Sequence, residues 1–174
     1  MIILGIDPGS RITGFGLIEN HANRIEYIHS GSIRISGDSL PQRLGHIFNE
    51  IEAVIRQYRP QQMGIENVFM ARNADSALKL GQARGAAICA AHQAGLEIAE
   101  YAAREVKQSI VGTGAASKEQ VQHMVKRLLG IRLSLQADEA DGLAIAICHA
   151  QFYATRHKTG IDASLLKRRR SRRR

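Results

Sequence analysis

Ile2-Ile3-Leu4-Gly5-Ile6-Asp7-Pro8-Gly9-Ser10 decides the architecture. The short continuous apolar run predicts a buried strand, and Asp-Pro-Gly-Ser predicts the turn that stops it. Downstream, Gly14 to Ile18 and Ile25 to Ile35 are rich in β-branched and aromatic residues and are separated by the polar His21-Ala22-Asn23-Arg24. Three antiparallel strands in sequence are the simplest reading. A helix follows. Leu40, Leu44, Ile47, Ile51, Val54 and Tyr58 recur at helical spacing, and Ser39 with Gln42 makes a capping-box pattern around Pro41.

Pro60 ends that helix, and Met63-Gly64-Ile65-Glu66 reads as a short central strand. Next come a loop carrying Val68, Phe69 and Met70, an Ala/Gly-rich helix from Asn73 to Gln93, and a strand from Glu97 to Tyr101. Ser117 and Gln120 form a second capping box, opening a helix with Val121, Val125 and Leu128 inward that stops at Gly130. The last helix runs from Asp138 to Thr155. This succession of strands and helices predicts a mixed α/β domain, one five-stranded sheet flanked by helices.

Composition narrows the class. Of 174 residues, 44% are apolar and 23% charged, which excludes a wholly disordered chain. Two cysteines exclude a disulfide scaffold. Cys89 and Cys148 lie in Ala/Ile-rich runs and are expected to be buried, reduced thiols. No long uncharged apolar segment and no basic leader is present, so a cytoplasmic protein is expected. The net charge is +8, but Lys167 to Arg174 alone carries seven cations, leaving +1 for the other residues. Residues 1–157 are thus read as the folded domain and 158–174 as a basic, disordered tail. Such an arginine run favours phosphate polymers or anionic lipid surfaces.

Carboxylates stand in places that are wasteful for stability. Asp7 ends the first apolar strand and Glu66 ends a later one. Asp138 and Asp141 are three apart, roughly 60° on a helix, and continue into the Ile145, Cys148, Phe152 stripe that must face the sheet. Each has a plainer alternative: Asp7 as a turn residue, Glu66 as the start of a loop, Asp138 as an N-cap with Asp141 at N3. If the strand ends converge beside the last helix, the carboxylates share one site and cannot all ionise without a cation. Hard oxygen ligands suit Mg²⁺ or Mn²⁺, and two such ions about 4 Å apart suit phosphodiester hydrolysis.

Other residues fit a phosphate polymer. Lys118 follows the Ser117 cap, where the helix dipole disfavours a cation. Lys107 follows the strand that ends at Tyr101 and is within reach of the same site. Phe69 reads either as an apolar wedge between bases or as a loop anchor in the core. Arg72, Lys79 and Arg84 are spaced to line one side of their segment. The Ala83 to Ala91 run suits either a helix contact in a dimer or tight packing on the sheet. Gly112 to Glu119 only superficially suggests a P-loop, because Ser117 and Glu119 stand where a Gly and a Ser/Thr are required. Cys89 with His92 lacks the partners of a zinc site.

Gly5-Ile6-Asp7-Pro8-Gly9-Ser10-Arg11-Ile12-Thr13-Gly14, Ile65-Glu66-Asn67-Val68-Phe69 and Asn73-Ala74-Asp75-Ser76-Ala77-Leu78-Lys79-Leu80-Gly81-Gln82-Ala83-Arg84-Gly85 closely resemble the RuvC Holliday junction resolvases. Tyr101 to Lys107 and Gln136 to Ala146 extend the resemblance to about residues 1–150. It implies a ribonuclease-H-like fold and a homodimeric, Mg²⁺-dependent endonuclease that cuts four-way DNA junctions by paired nicks. It also implies a bacterial cytoplasmic setting and cooperation with the RuvA–RuvB branch-migration complex. The family's acids fall on Asp7, Glu66, Asp138 and Asp141, and its basic DNA contacts on Lys107 and Lys118. Glu139 departs from the pattern by adding a charge between two aspartates.

Two other classes compete. A non-catalytic nucleic-acid-binding module would need a broken acid set, and all four acids are intact. An actin-like ATPase would accept Asp7-Pro8-Gly9 as a phosphate turn, but 174 residues are too few for its two domains.

Overall fold

The computed structural model describes residues 1–21, 24–68 and 74–159. Five strands, β1 (Ile2–Asp7), β2 (Ile12–Asn20), β3 (Ile25–Arg34), β4 (Gln62–Glu66) and β5 (Glu97–Tyr101), form one sheet in the order β3-β2-β1-β4-β5. The first three are an antiparallel meander, whereas β4 and β5 run parallel to β1. The helices are α1 (Leu40–Tyr58), α2 (Ala74–Gln93), α3 (Ala103–Val111), α4 (Lys118–Leu129) and α5 (Ala137–Thr159).

The central strands are apolar on both faces because both faces are covered. Leu4, Ile6, Met63 and Ile65 pack with Ile47, Ile51 and Ile55 of α1 and with Ala83 and Ala87 of α2. On the other face Ile3 and Ile18 join Val106 and Ile110 of α3, Val121 and Val125 of α4, and Leu143, Ile145 and Cys148 of α5. Both capping boxes form. The Gln42 side chain accepts from the Ser39 amide at 3.1 Å, and Gln120 accepts from the Ser117 amide at 2.8 Å.

Three expectations are corrected. Leu128, expected inward on α4, is 47% exposed. Helix α3 is absent from the sequence reading because nine residues carry only one apolar repeat, Val106 to Ile110; the Glu105 carboxylate, accepting from the Ala102 amide at 2.9 Å, supplies its start. Cys148 is buried, but Cys89 is exposed. In an Ala-rich helix apolar composition does not tell the faces apart, and Ala83, Ala87, Ala90 and Ala91 take the inner one. Those four alanines pack within this chain. The Lys167–Arg174 tail lies outside the described residues.

Helix α5 sits unusually close to the sheet. A Cβ on Gly5 would stand 2.1 Å from the Gly142 carbonyl oxygen, and one on Gly16 would stand 2.5 Å from the Leu143 nitrogen. Glycine in a strand interior weakens the strand but admits another backbone, and that trade is made here. Gly5→Ala is expected to destabilise the protein by at least about 2 kcal/mol, at the severe end of overpacking. Gly45→Ala, with nothing within 4 Å of its added Cβ, is expected to stabilise α1 by about 0.5–1 kcal/mol. Urea denaturation of both variants checks the pair.

Candidate active site

Strand alternation aims the first two acids. Ile6 pairs with Ile65 across parallel β1 and β4, so Asp7 and Glu66 occupy neighbouring strand ends. Leu4, Ile6, Met63 and Ile65 face α1 and α2, so the next residues, Asp7 and Glu66, face α5. Asp7 also pairs with Gly14 of β2, and a Cβ on Gly14 would lie 2.0 Å from the Asp138 carbonyl oxygen. The absence of that Cβ lets the first turn of α5 rest beside the end of β1.

Helix α5 begins one residue before Asp138, and its capping falls to Glu139. The Glu139 carboxylate accepts from the Gln136 amide at 3.3 Å, in the manner of an N3 residue reaching back. Asp138 and Asp141 are thereby left to the site, and the charge that departs from the family pattern has a structural function. Lys118, first residue of α4, donates from Nζ to Asp141 Oδ2 at 3.1 Å.

The charges of these groups act on one another. Burial, then the charges of Glu66, Asp141 and Asp138, push the Asp7 pKa up to about 7 against the pull of Lys118. Burial and Asp141 raise Glu66, while Lys118 and Lys107 lower it. The Asp141 hydrogen bond and charge raise Lys118, opposed by its partial burial. Asp7, Glu66, Asp138, Asp141, Lys107 and Lys118 therefore interact electrostatically. Phe69 and Arg72 lie outside the described residues. Lys79 is paired with Asp75 at 2.6 Å. Arg84 does not line an open face. It turns inward onto the end of β4, donating to the Glu66 carbonyl at 3.1 Å.

Four carboxylates with two lysines leave an acidic surplus, and a carboxyl held protonated near neutrality is one that a cation would ionise. The donor set is all oxygen and fits a hard divalent ion. Among the described residues, the group whose ligand atoms all lie within 4.8 Å of one another is instead Glu19, His21 and Glu26, at the opposite end of the sheet. There Glu26 already pairs with Arg24 at 2.8 Å, and Glu19 lies 3.9 Å from the amino terminus.

A family model described as crossover junction endodeoxyribonuclease RuvC matches residues 3–149. The chain belongs to the RuvC family. The RuvC of Tolumonas auensis is 61% identical over 154 residues, covering 88% of this chain and 89% of that protein. The RuvC of Shewanella frigidimarina is 56% identical over 163 residues, covering 94% of each. The solved structure of T. thermophilus RuvC in complex with Holliday junction substrate superposes with a TM-score of 0.82 at 33% identity, covering 89% of this chain and 96% of that one. The yeast mitochondrial Holliday junction resolvase Ydc2, at 10% identity and a TM-score of 0.59, shares the fold.

The raised Asp7 makes a pH prediction for the metal-free RuvC chain. Asp7 titrates near 3.8 when unfolded and about 7 when folded, so the folded state binds more protons between those values. Its contribution is fully present below about pH 4 and is lost as pH rises through 7. Thermal denaturation in EDTA is expected to show a melting temperature that falls from pH 5 to pH 8, with Asp7→Asn removing most of that fall. An unchanged slope in the variant would place the sensitivity in another group.

Proposed function

We propose that this chain resolves Holliday junctions, hydrolysing one phosphodiester in each of two strands of like polarity during recombination and DNA repair. The observation that carries the reading is that Asp7, Glu66, Asp138 and Asp141, from two strand ends and one helix, meet in one partly buried acidic site. Membership of the RuvC family supports the substrate class.

Asp7 and Glu66, with Asp138 or Asp141 completing the set, would hold Mg²⁺, two ions per chain, with Mn²⁺ as a substitute. Such ions supply water activation and charge stabilisation at the phosphate. Lys118 has 71% of its side chain exposed and is tethered only through its tip to Asp141, so its ammonium is placed to transfer from that carboxylate to an arriving phosphate. Lys107 acts on Glu66 from α3 and is a second phosphate contact. Phe69 and Arg72, beside Glu66 in sequence, are further DNA contacts, Phe69 as an apolar wedge at the junction.

A junction with two-fold symmetry requires two sites related by the same symmetry, which a C₂ homodimer provides. The family relationship extends the proposal to cooperation with the RuvA–RuvB complex in a bacterial cytoplasm. Among the described residues, no helix is long and apolar enough to cross a membrane.

A synthetic four-way junction is expected to receive paired nicks with Mg²⁺ and none with EDTA, while matched duplex and an RNA hairpin stay intact. Asp7→Asn is expected to bind the junction with unchanged affinity and to cut it at least 100-fold more slowly, roughly a 2.7 kcal/mol higher barrier. Wild-type rates in that variant would remove Asp7 from the chemistry, and cleavage of the hairpin would change the substrate class.

A further inference from the structure

We propose that Arg84 is a positioning residue for Glu66, pinning the main chain that carries this carboxylate from the opposite side of the sheet. The proposal rests on the nuclease reading of the acidic site. Glu66 stands where β4 stops pairing. Its register partner is Tyr101, and one further bond, from the Asn67 amide to the Tyr101 carbonyl at 2.8 Å, closes the ladder.

Arg84 reaches this point from α2. Its Nε donates to the Glu66 carbonyl at 3.1 Å and its Nη2 to Asn67 Oδ1 at 3.2 Å. The same Nη2 meets Glu100 Oε2 on β5 at 2.7 Å. One planar guanidinium thus fastens the end of β4, the residue after it and the neighbouring strand. The side chain is only 19% exposed although Glu100 is 51% exposed, so the contact is sheltered on the arginine side.

The direction of approach separates Arg84 from the basic residues of the site. The Glu66 carboxyl faces α5, whereas α2 packs on the other face, and Arg84 meets the main chain there. The charges that act on the Glu66 carboxyl are Asp141, Lys118 and Lys107, while the Arg84 charge is met by Glu100. Arg84 therefore bonds the main chain of Glu66 and the side chain of Asn67, not the Glu66 carboxyl. Lysine replaces it only in part, because three acceptors in different directions need the guanidinium fork. Displacement of a reacting group by about 1 Å costs on the order of 10²-fold in rate.

The test compares full-length wild type, Arg84→Gln, Arg84→Lys and Glu100→Gln on a four-way junction with Mg²⁺. Single-turnover cleavage at saturating junction is expected to fall about 10- to 100-fold in Arg84→Gln, with junction affinity within about twofold and the pH–rate profile unmoved. Arg84→Lys is expected to recover part of the rate, Glu100→Gln to lose less, and amide exchange at Asn67 to quicken in Arg84→Gln. An unchanged rate in Arg84→Gln overturns the proposal. So does a defect confined to affinity, with a salt slope shallower by about one, which would make Arg84 a phosphate contact. If Arg84→Gln does not fold, the same comparison is made with Arg84→Lys. A wild type that does not cut junctions overturns the nuclease reading, and Asn67 exchange then still decides whether Arg84 pins the strand.

Discussion

The close seating of α5 on the sheet is the contact on which everything else depends. Gly5, Gly14 and Gly16 open the sheet surface, and Gly142 opens the helix, so backbone meets backbone where side chains would normally intervene. That approach brings the first turn of α5 to the end of β1 and adds Asp138 and Asp141 to the acids on the strand ends. A helix held at the usual distance by side chains would leave Asp7 and Glu66 without them. The glycines also explain why so much of α5, from Leu143 to Cys148, is buried.

Electrostatically, the fold gathers negative charge where burial makes charge costly, and compensates it only in part. Lys118 bonds one acid, Lys107 acts on another, and the start of α5 offers its partial positive charge to Asp138. Asp7 remains displaced toward neutrality. Stability alone would have replaced it, since an apolar residue at a buried strand end carries no such penalty. Such a cost to the empty fold is what the proposed cation site would carry.

Much of this was legible in the sequence. The apolar runs gave the strands, Ser39/Gln42 and Ser117/Gln120 gave two helix starts, and the strand ends marked Asp7 and Glu66. The spacing of Asp138 and Asp141 left open whether they cap α5; the position of Gln136, whose amide bonds Glu139, gives the cap to Glu139. Arg84 was visible only as a charge at helical spacing, because its partners Glu66, Asn67 and Glu100 come together through the β4–β5 pairing. The exposed Cys89 and the short α3 were hidden for simpler reasons, an alanine-rich helix without a distinctive face and a repeat too brief to read. The glycines had a signal that composition conceals: Gly5, Gly14, Gly16 and Gly64 interrupt strands on one face, the pattern of a sheet that receives another backbone.

The central claim is that four carboxylates from separate elements make one divalent-cation site. Calorimetric titration of Mn²⁺ into the wild type, Asp7→Asn, Glu66→Gln and Asp141→Asn tests it most directly. The account predicts saturable binding in the wild type that each single substitution weakens at least tenfold, because every acid serves the same ions. Wild-type affinity in all three variants would contradict it, and would move the cation to a different part of the chain, with Glu19, His21 and Glu26 the next group to substitute.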